Sequence, residues 1–188
     1  MATTNRTWTG HVFIGVSLDG LIARPDGDLD WLTDPRPGPR HAAITSSRPV
    51  DDYATFSGRI DHLVMGRGTY EKVLGFGAWP YPGRPVIVLS MTLSTDDARI
   101  TIARSVDEVV RMLADSAAQH VYIDGGQVIQ AFLRADLIDE IDIAWAPVLI
   151  GKGMPLFGEL GRDVQLVLRA MSATDDGMVH ASYVVHRA

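Results

Sequence analysis

The chain of 188 residues contains no cysteine. This absence excludes disulfide frameworks, thiolate zinc sites and cysteine nucleophiles, and it favours a cytoplasmic protein. Long hydrophobic runs are also missing: residues 1–10 lack the apolar segment of a signal peptide, and no run approaches the roughly 20 residues that span a bilayer. We therefore expect no membrane partner.

Several functional motifs are absent as well. None of the six histidines lies in a His-Glu-x-x-His pair, so no metal site is expected. There is no Gly-x-Ser-x-Gly elbow of a serine hydrolase and no Tyr-x-x-x-Lys pair of a Rossmann-type carbonyl reductase. A net charge of -6 and a pI near 5.4 argue against a nucleic-acid partner. The expected partner is a small molecule.

Hydrophobic residues make up 46% of the sequence, which is ordinary for one globular domain over residues 1–188, with an N-terminal end (1–10) that could be flexible. From residue 11 to residue 146, apolar strand-like runs alternate with turns and helix-like stretches. Residues 164–173 and 178–186, separated by Asp-Asp-Gly, predict a β-hairpin. The pattern predicts an α/β fold: a central mixed, mostly parallel sheet, helices on both faces, and a C-terminal antiparallel hairpin.

Two glycine-containing turns are the most informative feature. Residues 65–70 read Met-Gly-Arg-Gly-Thr-Tyr and residues 122–127 read Tyr-Ile-Asp-Gly-Gly-Gln, each between a strand-like run and a helix-like stretch. Glycine permits close approach of a phosphate, and a helix N-terminus favours an anion. Neither turn fits the G-x-G-x-x-G fingerprint of an ordinary Rossmann site. Together they predict one dinucleotide held between two turns.

Three carboxylates are candidates for work on a substrate. Asp52 and its neighbour Asp51 lie near the N-terminus of a predicted short helix at 51–58. Asp19 lies in an Asp-Gly turn, and Asp30 lies next to Trp31. Each also has a structural alternative, as a helix N-cap, a turn former or a solvated loop acid. Residues 24–49 carry five of the ten prolines and are expected to form a binding loop or lid.

The chain resembles the dihydrofolate reductase superfamily from about residue 12 to residue 183. The resemblance rests on Ser-Leu-Asp-Gly-Leu-Ile-Ala at 17–23, Val-Met-Gly-Arg-Gly-Thr-Tyr-Glu at 64–71 and Val-Tyr-Ile-Asp-Gly-Gly at 121–126. Residues 27–33 and 139–153 are more similar to the reductase domain at the C-terminus of the bifunctional riboflavin-biosynthesis deaminase-reductase. The zinc-ligand cysteines of the deaminase half are absent, so the resemblance implies reduction only.

The resemblance implies a three-layer dihydrofolate-reductase-like fold. It also implies an NADPH-dependent reductase that transfers a hydride to a pyrimidine, pteridine or similar heterocycle. The activity would be that of a 5-amino-6-(5-phosphoribosylamino)uracil reductase rather than of a true dihydrofolate reductase. Relatives of the riboflavin type pair through their sheet and C-terminal strands, which implies a homodimer. The alternative is a nucleotide-binding, non-catalytic sequestering or regulatory protein on the same fold.

The resemblance also assigns roles to residues. The catalytic candidates are Asp52 and Asp19. Cofactor contacts are expected from the two turns and from the end of the third strand: Gly66, Arg67, Gly68, Thr69, Leu89, Ser90, Gly125, Gly126, Gln127 and Val128. Substrate contacts are expected from Asp30, Trp31, Phe56, Pro147, Leu149 and Gly151. Some of these have a plain structural alternative. Arg67 could be a surface arginine after a tight turn, Gly125 and Gly126 could serve the turn alone, Ser90 could form a turn, and Phe56 could belong to the core.

Overall fold

A computed structural model describes residues 6–34 and 50–187. The strands are β1 (Thr9–Ser17), β2 (Leu21–Ala23), β3 (His62–Gly66), β4 (Val86–Leu89), β5 (Ile100–Ala103), β6 (His120–Asp124), β7 (Glu140–Ala146), β8 (Met154–Pro155), β9 (Leu166–Ala173) and β10 (Val179–Val185). The helices are α1 (Asp30–Thr33), α2 (Tyr53–Arg59), α3 (Arg67–Leu74), α4 (Val106–Asp115) and α5 (Gly126–Arg134).

Eight strands form one sheet in the order β5-β4-β3-β6-β1-β7-β10-β9. The pairings from β5 to β7 are parallel, and β10 pairs antiparallel with both β7 and β9. The predicted mixed, mostly parallel sheet with a C-terminal hairpin is confirmed. A second sheet, β2 with β8, was not predicted, because strands of three and two residues are too short to show a period of two.

Two apolar cores cover the two faces of the large sheet. Successive residues of a strand point to opposite faces, so Val121 and Ile123 of β6 join one core while Tyr122 joins the other. The first core contains Phe132 of α5 together with buried residues of α4, and the second contains Phe56 of α2 together with residues of α3. Helices therefore cover both faces, which gives the expected three layers.

The register of β3 and β6 positions the candidate site. The two strands are parallel neighbours with Met65 opposite Asp124. They end at the same edge of the sheet, and α3 and α5 begin there side by side. In open α/β sheets this edge, at the carboxyl ends of the strands, is where ligands bind.

Local sequence signals account for the start of two other helices. Ser105 caps α4 by accepting a hydrogen bond from the Glu108 backbone N–H at 3.1 Å, as the capping signature predicted. Asp52 caps α2, which begins at Tyr53 rather than at the predicted residue 51. The predicted loop at 24–49 contains α1, and its residues 35–49 lie outside the described residues. Within the part of the chain that the structure describes, no helix is long and apolar enough to cross a membrane.

Candidate cofactor and substrate site

Helices α3 and α5 both begin without a side-chain cap. Their N-cap residues are Gly66 and Gly125, which have no side chain to accept a hydrogen bond from the first turn of the helix, in contrast to the N-cap residues of α2 and α4. The first backbone N–H groups of a helix have no partner within the helix, and they carry the positive end of its dipole. Two adjacent uncapped N-termini therefore form a place where an anion such as a pyrophosphate fits.

The glycines of the second turn are required by packing inside the protein. Gly125 has a φ of 88°, and a Cβ there would lie 2.4 Å from Thr69 Oγ1. A Cβ on Gly126 would lie 2.9 Å from Ile22 Cδ1 and 3.0 Å from the Pro155 carbonyl oxygen. The sequence interpretation attributed both glycines to close approach of a cofactor, but their own neighbours already exclude a side chain.

The first turn is open to solvent. A Cβ on Gly68 would meet no atom of a described residue within 4 Å, whereas one on Gly66 would lie 3.2 Å from Val128 Cγ2. Val128 is buried and packs between the two turns, and Gln127 is exposed. The turns thus touch each other through Thr69, Gly125 and Val128, and Gly68 leaves free space on the outer side.

Arg67 and the segment after β4 line the outer end of the first turn. The Arg67 guanidinium contacts Glu71 Oε1 at 2.6 Å and donates to Thr92 Oγ1 at 3.2 Å, and its side chain is half exposed. Ser90 is buried, and its hydroxyl accepts the Leu93 backbone N–H at 3.0 Å. Ser90 therefore stabilises the turn after β4, which is the structural alternative considered from the sequence. Arg67 keeps N–H groups available for a phosphate.

Two residues that contact Arg67 or the segment after β4 were missed from the sequence. Thr92 contacts Arg67 directly, and Arg104 donates to the Ser90 carbonyl oxygen at 2.6 Å. The pairing of β3 with β4 brings Thr92 to the first turn, and the pairing of β4 with β5 brings Arg104 to Ser90. Leu89, at the end of β4, is partly buried and packs against the core.

Asp124 is the acid that the sequence interpretation missed. It ends β6 on the same face as Tyr122, and its Oδ1 accepts the Gly125 backbone N–H at 2.8 Å. Burial raises the pKa of Asp124 to about 6. The pKa values of Tyr53, Tyr81 and Tyr122 are also raised, first by burial and then by the charge of Asp124, so the carboxyl lies close to all three. The sequence signal that could have identified Asp124 is an acidic residue directly before Gly-Gly at the end of a buried strand.

The three carboxylates chosen from the sequence have structural partners at the surface. Asp52 Oδ1 accepts the Thr55 backbone N–H at 2.8 Å, which lowers the pKa of Asp52. Asp19 accepts the Ser17 hydroxyl at 2.6 Å and the Gly151 backbone N–H at 2.7 Å, and these bonds lower the pKa of Asp19.

Asp30 pairs with Arg24 at 2.6 Å. Hydrogen-bond donors hold Asp52 and Asp19 in their charged forms, which disfavours proton donation. Asp52 and Asp19 therefore stay candidates only as charged groups, and we add Asp124 as the candidate proton donor.

The predicted substrate residues fall into two groups. Trp31 is 6% exposed, and its Nε1–H is buried without a hydrogen-bond partner among the described residues. Phe56 is fully buried, with its ring 4.8 Å from that of Phe13 and 5.1 Å from that of Tyr122. Phe56 therefore packs behind the residues that line the candidate site, while the buried Trp31 Nε1–H has no hydrogen-bond partner among the described residues.

The loop after β7 forms the rim near the end of β1. Pro147, Leu149 and Gly151 are exposed there, and Leu149 is 69% exposed. Three hydrogen bonds fix the loop to the turn after β1: Gly151 and Ile150 donate to Asp19, and the Leu18 N–H donates to the Val148 carbonyl oxygen at 2.9 Å. Asp19 thus connects two segments that both border the carboxyl edge of the sheet.

Comparisons with known proteins agree with this architecture. A model of the RibD C-terminal domain family matches residues 9–180. The uncharacterised Bacillus subtilis protein YwjB is 31% identical over 162 residues, which cover 84% of this chain and 87% of that protein. A crystal structure from Shewanella sp. PV-4, provisionally assigned to riboflavin biosynthesis, is 35% identical with a TM-score of 0.80, covering 95% of this chain and 99% of that one.

A third comparison concerns the fold alone. The structure of Enterococcus faecalis dihydrofolate reductase complexed with NADP(H) is 19% identical with a TM-score of 0.67. The match covers 97% of this chain and 99% of that chain. The dihydrofolate-reductase-like α/β fold expected from the sequence is therefore confirmed.

Proposed function

Because the chain belongs to the RibD C-terminal domain family, whose relatives support a reductase-type function, we propose that it is an NADPH-dependent oxidoreductase. Its substrate would be a pyrimidine, pteridine or similar heterocycle, as for a 5-amino-6-(5-phosphoribosylamino)uracil reductase. The observation that carries the proposal is the pair of helix N-termini at Gly66 and Gly125, directly beside the partly buried carboxyl group of Asp124, whose pKa is raised.

The residues around the two turns fit a dinucleotide phosphate. The backbone N–H groups at the starts of α3 and α5 would hold the pyrophosphate, and Gly68 leaves space for it. Arg67 would bind a phosphate on the adenosine side, with Thr92 orienting its guanidinium. When bound, NADPH supplies a hydride to an electron-poor carbon of the substrate.

Reduction of a C=N or C=O group also needs a proton at the heteroatom. Asp124 would supply it, because its carboxyl has a pKa of about 6 and holds a proton close to neutral pH far better than an exposed aspartate does. The aromatic residues around it exclude water, and Trp31 would contribute to the wall of the substrate site through its packed ring. Ser17, Asp19 and Gly151 hold the rim in place.

Cytoplasmic residence and a homodimer complete the proposal. Among the described residues, β9 has a strand neighbour on one side only, and Val167 and Leu168 on its opposite faces are 49% and 50% exposed. An edge strand that exposes apolar side chains on both faces supports pairing with a second copy.

Titration with NADPH and with NADH, followed by cofactor fluorescence, tests the proposal. We expect NADPH to bind more tightly than NADH, and Arg67→Ala to weaken NADPH binding about tenfold, the loss of one charged hydrogen bond. Arg169→Ala on β9 removes the same charge far from the turns and is the control. The alternative role, nucleotide binding without chemistry, predicts tight NADPH binding with no oxidation by any heterocycle. Failure to bind either cofactor would overturn the proposal.

A further inference from the structure

The loop between α3 and β4 holds one tyrosine in a fixed position. The Tyr81 carbonyl oxygen accepts the Trp79 Nε1–H at 3.2 Å, and the Trp79 ring lies under the Arg99 guanidinium at 4.5 Å. Arg84 ties the same loop to α2 by donating to the hydroxyl and the carbonyl oxygen of Ser57 at 2.8 and 2.9 Å. The backbone of Tyr81 is therefore fixed from both sides, although it lies in a loop.

The ring of Tyr81 is as well fixed as its backbone. It is 6% exposed, packs in the same core as Tyr70 and Tyr122, and meets the Trp79 ring edge to face at 5.6 Å. Such packing leaves the phenol few alternative rotamers, so its hydroxyl has a defined direction.

The Tyr81 hydroxyl has no hydrogen-bond partner among the described residues. The other two core tyrosines differ: Tyr70 donates to Asp97 at 2.8 Å, and Tyr122 donates to the Phe13 carbonyl oxygen at 2.9 Å. The Tyr81 oxygen is also not among the fully buried polar atoms that lack a partner, so it reaches accessible space. A buried phenol in a rigid wall normally has a hydrogen-bond partner, and no described residue supplies one to Tyr81.

Asp124 is the charged group that faces Tyr81. Burial raises the pKa of Tyr81, and the charge of Asp124 raises it further, as does Tyr53. The hydroxyl therefore keeps its proton at every physiological pH and acts as a hydrogen-bond donor. The Tyr81 hydroxyl and the Asp124 carboxyl are therefore close enough to interact electrostatically.

We propose that Tyr81 contacts the substrate, and that its hydroxyl donates a hydrogen bond to the same heteroatom that receives the proton from Asp124. The inference rests on the proposed reductase function and specifies its substrate: the reduced group must be a C=N or C=O whose heteroatom can accept two hydrogen bonds. In the step, the carbon gains the hydride, the heteroatom gains the Asp124 proton, and Asp124 is left as a carboxylate. The Tyr81 proton stays on its oxygen and stabilises the charge that develops on the heteroatom.

Tyr81→Phe tests this role because it removes only the hydroxyl and keeps the packed ring. The probes are dihydrofolate and 5-amino-6-(5-phosphoribosylamino)uracil, with binding followed by tryptophan fluorescence and turnover by NADPH oxidation. We expect the Kd of the bound probe to rise about 3- to 10-fold, kcat to fall about 10- to 100-fold, and the Kd of NADPH to stay unchanged. Tyr183→Phe, on β10, is the matched control and should change none of these.

The outcomes separate the inference from the function on which it rests. Turnover and probe affinity that are the same in Tyr81→Phe and in the wild type, while Asp124→Asn loses turnover, would overturn the role of Tyr81 alone. A wild-type protein that neither binds nor reduces either probe would overturn the substrate class in the proposed function, and the role of Tyr81 with it. Fluorine NMR of the protein labelled with 3-fluorotyrosine gives a readout independent of turnover. The Tyr81 signal, identified by its loss in Tyr81→Phe, should shift when the probe binds.

Discussion

At the scale of single residues, the surroundings decide what an aspartate can do. Asp52 and Asp19 receive hydrogen bonds from N–H or O–H donors at the surface, which lowers their pKa values. Asp124 has one backbone donor, from Gly125, and is enclosed by aromatic rings, which raises its pKa to about 6. The same side chain is therefore a fixed anion at two positions and a candidate proton donor at the third.

Asp124→Asn should lower turnover at least 100-fold, because the amide cannot supply the proton. In the wild type, activity should decrease about tenfold per pH unit above pH 6, as Asp124 loses its proton. Stopped-flow measurement of NADPH oxidation between pH 5 and pH 9 checks both expectations. An unchanged pH profile in Asp124→Asn would contradict the assignment.

The same substitution should stabilise the protein at high pH. The pKa of Asp124 is higher in the folded state than the ordinary value of 3.8, so the folded state binds the proton more tightly. The contribution of Asp124 to the free energy of unfolding is therefore greatest below about pH 4, and it decreases as the pH rises to about 6. At pH 8, Asp124→Asn should raise the free energy of unfolding by about 1–3 kcal/mol. Urea unfolding at pH 5 and pH 8 measures the difference.

The Asp52 side chain should stabilise α2 as its N-cap. Asp52→Ala leaves the Thr55 backbone N–H without its acceptor, and the melting temperature should fall by about 2–4 °C. Asp51→Ala is the matched control, because the neighbouring carboxylate makes no capping bond. Equal effects of the two substitutions in calorimetry would show that the cap does not contribute.

At the scale of elements, the two strand-to-helix turns use glycine for different reasons. Gly125 combines a φ of 88° with a closest Cβ approach of 2.4 Å to Thr69, so the junction of β6 with α5 excludes any side chain. Gly68 lies within α3 and faces open space. A helix gains stability from alanine in place of glycine, so none of the described residues requires a glycine at position 68.

Substitution of the two glycines should therefore have opposite effects. Gly125→Ala should lower the free energy of unfolding by about 1–3 kcal/mol, from backbone strain and the clash with Thr69. Gly68→Ala should leave stability equal or raise it by up to about 1 kcal/mol, yet weaken NADPH binding, since the added methyl group enters the space proposed for the phosphates. Thermal unfolding and cofactor titration of both variants measure the two effects. Unchanged NADPH affinity in Gly68→Ala would place the cofactor elsewhere.

At the scale of the whole molecule, the sheet has two unlike edges. The β5 edge carries one short strand of four residues. The β9 edge carries a strand of eight residues with a single charge, at Arg169, and exposed apolar side chains on both faces. Monomeric proteins normally protect such an edge with charges, proline or a covering element, so this edge is the one suited to pairing with a second copy.

Light scattering after size exclusion should give about twice the chain mass of 20.5 kDa. Leu168→Lys places a charge in the proposed interface and should shift the protein to the monomer without loss of secondary structure. Leu74→Lys is the control, since Leu74 is similarly exposed at the end of α3, away from β9. A monomeric wild type would contradict the proposed dimer.

The sequence by itself determined the order of the elements. The apolar runs, the capping pair Ser105 and Glu108, the Asp-Asp-Gly turn and the two glycine turns are local signals, and each correctly predicted its strand, helix or hairpin. Because parallel strands end at one edge of a sheet, these signals also located the candidate site at residues 65–70 and 122–127. The family resemblance followed from the same local motifs.

Only the tertiary structure decided the chemistry of the side chains. An aspartate can cap a helix, connect two segments or act as an enclosed acid, and the segments around it decide which. The segments around Asp124 are α2, the 75–85 loop and β6. The pairing of β2 with β8 and the contact of Thr69 with Gly125 likewise join residues far apart in the chain. Burial and electrostatic surroundings arise from non-local packing, which leaves no local pattern in the sequence.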